Sequence, residues 1–195
     1  MKLVSLLVLF IGMGLMACSS PNVPLTNVYK AIEATKEARV PQKYNIETTL
    51  LPPGDVRRIS REGGALLEKG QYREAIQKYD KVIELDPQDI YITRAYHNRG
   101  LSYAKLGEHE RAVEDYNVAI QLEPDYVDSY IMRGLSLSGL ERYEDALKDA
   151  DTAIRLDPNK AGGYALQDIV LSFLGQPVLA KKAQVKACEL DKFFC

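Results

Sequence analysis

Little in this chain is equipped for chemistry. Its 195 residues include two histidines, His97 and His109, and three cysteines, Cys18, Cys188 and Cys195. Neither histidine has a cysteine or carboxylate partner at metal-ligand spacing. No Gly-rich phosphate loop, nucleophile elbow or paired-acid motif is present. No catalytic residue, metal ligand or cofactor site is therefore expected, and the chain does not read as an enzyme. Charge of one sign is equally scarce. The formal net charge is −2, and without residues 1–17, whose one charge is Lys2, it becomes −3. A protein that gains affinity by neutralising phosphates needs the opposite sign and more of it, so nucleic acid is not an expected partner. The hydrophobic fraction of 46% and charged fraction of 27% are ordinary for a soluble domain. The length suffices for one domain with a sizeable core.

Long apolar runs are confined to the start. Leu3 to Phe10 is apolar except for Ser5, and Ile11 to Ala17 continues the run after the positive Lys2. A run of about 15 residues is too short to cross about 30 Å of hydrocarbon, but it suits the apolar region of a signal peptide. Leu15-Met16-Ala17-Cys18 resembles the lipobox of bacterial lipoproteins, although Met16 is bulkier than the usual small residue. The resemblance implies a signal peptide over 1–17 and an acylated Cys18 as the mature N-terminus. An ordinary cleaved signal followed by a chance cysteine is the alternative. Acyl chains contribute roughly 0.8 kcal/mol per buried methylene and anchor a protein without a spanning helix. Ser19 rather than Asp follows the cysteine, which in a two-membrane bacterium points to the outer membrane, facing the periplasm. From residue 18 to 55, Pro21, Pro24, Pro41 and Pro52-Pro53-Gly54 interrupt any continuous helix. The segment reads as a lipidated tether; a packed helix over Leu25–Val40 is the alternative.

The remainder is periodic. Counting back from Pro87, Pro124 and Pro158, glycine stands 24 residues earlier (Gly63, Gly100, Gly134) and alanine 12 earlier (Ala75, Ala112, Ala146). Eight earlier stand Tyr79, Tyr116 and Ala150; five earlier, Val82, Ala119 and Ala153. The spacings between the prolines are 37 and 34 residues. Small, aromatic and proline positions recurring in register resemble the tetratricopeptide repeat, with its period of 34 residues. That resemblance implies an all-α solenoid of three helical hairpins, over 56–89, 93–126 and 127–160. The glycines would sit where two helices cross closely, with the alanines opposite and the tyrosines filling the gap below. Gly70 and Gly107 would end first helices, and Glu141, in the same place, implies a tighter or more strained turn. The three added residues of the second repeat, including Ile90, Tyr91 and Ile92, are expected to lengthen its first helix. A degenerate fourth copy over 161–192, with Asp168 for the glycine and Lys192 for the proline, reads as a capping hairpin. The repeat domain then spans 56–195.

The remaining candidate surface is the concave groove lined by each hairpin's first helix. At helical spacing it would carry Arg57, Ser60, Arg61 and Gly64, then Arg94, His97, Asn98 and Leu101. Asp128, Ile131, Met132 and Leu135 follow, and the cap adds Ala165, Leu166 and Ile169. One end is basic and the other apolar, which suits an extended peptide or helix with an acidic and an apolar part. Some proteins of this family clamp a chaperone's C-terminal carboxylate. Ser60, Gly64, Asp128 and Met132 stand at most of those positions, with only Asn98 matching, so no such clamp is implied. Arg99 and Arg133 read as structural, with Asp115 and Asp149 as partners. The resemblance implies a protein–protein adaptor of the bacterial envelope, lipid-anchored to the membrane, with envelope proteins as partners. A self-assembling homo-oligomer and a chaperone-like holder of secreted clients are the rivals.

Cys188 and Cys195 would stand about 10.5 Å apart on a continuous helix, beyond the roughly 7 Å that a disulfide tolerates. The repeat's stop falls at Asp191-Lys192, however, where the chain could turn back and carry Phe193 and Phe194 onto the cap. Sel1-like repeat proteins have similar pairs at a spacing one residue longer, and the compartment implied by the signal is oxidising. A disulfide is expected on those grounds; the alternative is Cys188 as a small apolar core residue.

Overall fold

A computed structural model of the chain describes residues 53–85 and 91–195. The signal segment 1–17, Cys18, the tether up to Pro52, the closing Asp86-Pro87 and Ile90 lie outside the described residues. The described residues, all within the compact unit Leu50–Cys195, form eight α-helices and one short 3-10 turn, with no strand among them. The helices are α1 (Pro53–Glu68), α2 (Tyr72–Leu85), α3 (Ile92–Lys105), α4 (His109–Leu122), α5 (Val127–Gly139), α6 (Tyr143–Leu156), α7 (Ala161–Phe173) and α8 (Pro177–Leu190). Consecutive helices pack as hairpins, and each hairpin packs on the next. None of the described helices is long and apolar enough to cross a membrane.

The second helices bury narrow stripes of small residues. Ala75, Tyr79 and Val82 in α2 recur as Ala112, Tyr116 and Ala119 in α4 and as Ala146, Ala150 and Ala153 in α6. This i, i+4, i+7 spacing keeps all three on one helical face. The facing glycines are needed for the approach. A Cβ on Gly63 would stand 2.9 Å from the Tyr79 ring, and one on Gly100 would stand 3.0 Å from Tyr116 and 3.2 Å from the Ala112 carbonyl. One on Gly134 would run into Leu166 of the following hairpin.

Three details differ from the sequence-based expectation. First, α1 begins at Pro53 rather than at residue 56, because proline is tolerated in a helix's first turn. Second, α3 has 14 residues against 13 in α5 and α7, so the three added residues barely lengthen it, and Tyr91 stands just ahead of it. Third, of the two outcomes expected at Glu141, a tighter turn or a more strained one, the structure shows only the second, because the turn itself is no tighter than its counterparts. The Arg142 N–H donates to the Leu137 carbonyl at 2.9 Å, as Gln71 does to Leu66 and Glu108 to Tyr103. Glu141 adopts φ 59° where Gly70, Gly107 and Gly175 have 75°, 79° and 69°. The geometry is kept and the side chain absorbs a left-handed conformation that costs about 1–2 kcal/mol.

At the C-terminus a 3-10 turn, Lys192–Phe194, follows α8, and the Asp191 carboxylate accepts the Phe193 N–H at 2.9 Å. A disulfide joins Cys188 to Cys195, with Cα atoms 4.8 Å apart. Phe193 does not fold onto the cap; it is 85% exposed, and only Phe194 is half-buried. The last hairpin is not a polar cap either, since Ile169, Phe173, Val178 and Val185 are all exposed on it.

Gly100→Leu is expected to lower stability by several kcal/mol, because even modest overpacking costs about 1–3 kcal/mol. Exposed Glu110→Ala should shift stability by no more than about 0.5 kcal/mol. Thermal melts of the two variants check this.

Candidate polypeptide-binding groove

The first helices α1, α3, α5 and α7 pack directly on one another, and the second helices make no comparable contact. The first helices therefore line the inner curve of the stack. Arg57 and Arg61 of α1 and Arg94 of α3 are exposed at one end. The Arg57 Nε donates to the Tyr91 hydroxyl at 2.8 Å, which holds that guanidinium across the first hairpin junction. Asn98, Leu101 and Met132 are half-exposed along the middle, and Leu135 and Ile169 are 37% and 40% exposed towards the other end. Asp128 is held by the Lys160 ammonium at 2.8 Å.

Three of the expected groove positions are not available at the surface, and one of them, Leu166, is a core residue packed with Leu137 and Ala146. His97 and Ile131 are only 7% and 5% exposed, because the hairpins close over them. The His97 Nδ1 lies 3.0 Å from the Ser129 hydroxyl, and its ring packs on Tyr116 and Tyr126 at centroid distances of 5.6 and 5.1 Å. Burial pushes the imidazole down to about 4, against the opposing pull of Asp128. Ile131 meets the backbone of Gly162 in α7. Both residues join successive hairpins rather than reaching a ligand. Sequence reading missed the aromatic residues at the junctions. Tyr91 and Tyr126, each one residue ahead of a first helix, frame with Arg94 and Glu123 a cleft of about 380 Å³. An aromatic recurring just before successive first helices was the signal available.

Arg99 and Arg133 belong to the scaffold. The Arg99 Nε and Nη2 donate to both Asp115 oxygens at 2.9 and 2.7 Å, and its Nη1 reaches back to Asp80. Arg133 repeats this on Asp149 at 2.9 and 2.6 Å and reaches back to the Asn117 amide oxygen at 2.7 Å. Among the described residues no group of three or more His, Cys, Asp or Glu is placed to hold a metal.

Helical hairpins stacked through glycine–tyrosine crossings, with an inner groove, define a superhelical repeat scaffold. Family comparison gives it its particular name. A TPR repeat model matches residues 63–107, and tetratricopeptide-repeat models match 93–126 and 127–160. The chain carries tetratricopeptide repeats, and its fold is the all-α solenoid of that family. Curated relatives include Hsp70-Hsp90 organizing protein 3 of Arabidopsis thaliana, 32% identical over 69 residues. That match covers 35% of this chain and 12% of the relative. Stress-induced-phosphoprotein 1 of Caenorhabditis elegans is 25% identical over 100 residues, which are 51% of this chain and 30% of that one. The chain thus spans only a minor part of these relatives. Among solved structures, MamA from Desulfovibrio magneticus RS-1 aligns with TM-score 0.64 at 21% identity, over 85% of this chain and 94% of that one. The first TPR domain of Spaghetti (RPAP3), bound to the HSP90 peptide SRMEEVD, aligns with TM-score 0.60 at 25% identity. It covers 65% of this chain and 98% of that one.

The depressed His97 pKa gives a testable pH dependence. The unfolded chain takes up this proton near pH 6.5 and the folded one only near 4. Stability is therefore fully present above about 6.5 and is lost on acidification towards 4, by an amount on the order of 3 kcal/mol. In denaturant unfolding at pH 7 and pH 5, His97→Gln should lose less stability between the two than the parent.

Proposed function

We propose that this chain is a non-catalytic adaptor of the bacterial cell envelope that holds an extended segment of a partner protein along the inner groove. The observation that carries the reading is the polarity of the groove, from exposed Arg57, Arg61 and Arg94 to exposed Leu135 and Ile169. A segment with an acidic part and an apolar part fits that order. The likeness to a repeat domain bound to an HSP90 peptide supports an extended polypeptide as the ligand class. The clamp positions differ here: Ser60, Gly64 and Met132 carry no charge, and Asp128 is engaged by Lys160. Side chains of the segment, rather than a terminal carboxylate, then set affinity. The envelope address rests on the sequence alone, on Cys18 after Leu15-Met16-Ala17.

A self-assembling role is the second reading, favoured by the exposed Phe173 and Val178 on the fourth hairpin. Affinity capture from envelope extracts separates the two. Arg61→Glu/Arg94→Glu should lose the partners that the parent retains, with its mass in light scattering unchanged. Identical capture by both chains would count against the groove. For the anchor, Cys18→Ala should abolish incorporation of a fatty-acid probe; a variant that still labels and still fractionates with membranes removes the lipoprotein reading.

A further inference from the structure

The fourth hairpin has lost the arginine that plugs the equivalent site in the second and third. In the third hairpin a narrow cleft of about 260 Å³ is lined by residues of α4, α5 and α6 and is occupied by the Arg133–Asp149 pair. Advancing each residue of that lining by one period of 34 gives a residue of a second cleft, between α6, α7 and α8. There Arg133 becomes Gln167 and Asp149 becomes Ala183. The second cleft measures about 680 Å³, within the range of about 300–1,000 Å³ typical of small-molecule sites.

The exchange also changes the chemistry. Val113 and Leu137 are matched by Leu147 and Leu171, and Asp145 by Leu179, so the floor is apolar. In the third hairpin Asp145 engages Arg142 at 2.8 Å and Lys148 at 2.9 Å. Their counterparts are Gln176 and Lys182, and with Leu179 in place of the carboxylate, Lys182 has no partner among the described residues. The other charged groups at the cleft have partners: Glu189 pairs with Lys186 at 3.3 Å, and Asp151 accepts from the neutral Gln167 amide at 2.9 Å, a hydrogen bond that holds the carboxylate against α7 and leaves its charge in place. Lys182 is the one charged side chain of the lining with neither a hydrogen-bond nor an ion-pair partner among the described residues, and an apolar trough with that ammonium at its edge suits a molecule with an apolar body and a single negative head.

We infer that the vacated arginine slot between α6, α7 and α8 is a binding site for a small anionic amphiphile. The site uses a different face of α7 from Ala165 and Ile169 and is independent of the polypeptide groove. Its floor is Leu147, Leu171 and Leu179, and Lys182 meets the head group.

Calorimetric titration of the purified full-length chain with decanoate, and with decanol as the uncharged control, tests this. Decanoate should saturate at one site per chain. Gln167→Arg/Ala183→Asp restores the pair of the preceding hairpins and should weaken decanoate at least about tenfold, with helicity and melting preserved. If that variant fails to fold, Leu179→Asp, at an exposed position that is aspartate one repeat earlier, removes part of the apolar floor, gives Lys182 the carboxylate partner that Lys148 has, and should give the same loss. Lys182→Ala should weaken decanoate and leave decanol unchanged. Undiminished decanoate binding in the folded trough variants overturns the site, as does the absence of saturable binding by the parent. Equal affinity for decanol and decanoate overturns the assignment of an anionic head.

Discussion

The stack depends on a charge pair placed one residue before each packing glycine. Arg99–Asp115 and Arg133–Asp149 join the two helices of their hairpins, and the same position in the first hairpin holds Glu62 and Lys78 at 2.6 Å, with the signs exchanged. The carboxylates of Asp115 and Asp149 are 7% and 5% exposed, so the pairs in the second and third hairpins are taken largely out of water. Burial pushes the Asp115 carboxyl up even against the hydrogen bonds from Arg99. A pair of this kind adds little net stability, whereas removing one partner costs about 3–5 kcal/mol. Its effect is on register. Because Arg99 and Arg133 also reach back to Asp80 and Asn117, each fixes both its own hairpin and the hairpin's seat on the one before.

That double duty explains why the sequence was readable to different depths. The crossings were legible because glycine, alanine and tyrosine report a steric requirement that no other residue meets. Pairing of Arg99 with Asp115 and of Arg133 with Asp149 was legible too, since both members recur in register. The contacts back to Asp80 and Asn117 were not, because aspartate and asparagine at an exposed helical position carry no pattern of their own. The groove was legible only in part. Helical spacing finds the face of α3 that carries Arg94 and His97, but it does not tell a side chain that faces the partner from one that faces the next hairpin. His97 and Ile131 fell on the wrong side of that line, and Tyr126 was passed over because it lies in a connection. The strain at Glu141 was legible from its place in the glycine register, whereas its choice of a left-handed backbone over a tighter turn was not, since tertiary packing is what makes a non-glycine residue keep a glycine's geometry.

The same register explains the chain's polarity. The first three hairpins spend their charges on one another, while the fourth replaces arginine and aspartate with Gln167 and Ala183 and carries exposed apolar residues instead. Loss of the pair and gain of apolar surface occur together in this one hairpin.

The Cys188–Cys195 bond closes a ring too short to restrain the unfolded chain by more than about 2–3 kcal/mol. Its action is local. By repeat register, Cys195 stands where the first residue of a fifth hairpin would start, as Ala161 starts the fourth. The bond ties that one turn back onto α8, the helix it follows. Release of that turn from α8 then depends on the thiol–disulfide balance around the protein as well as on temperature.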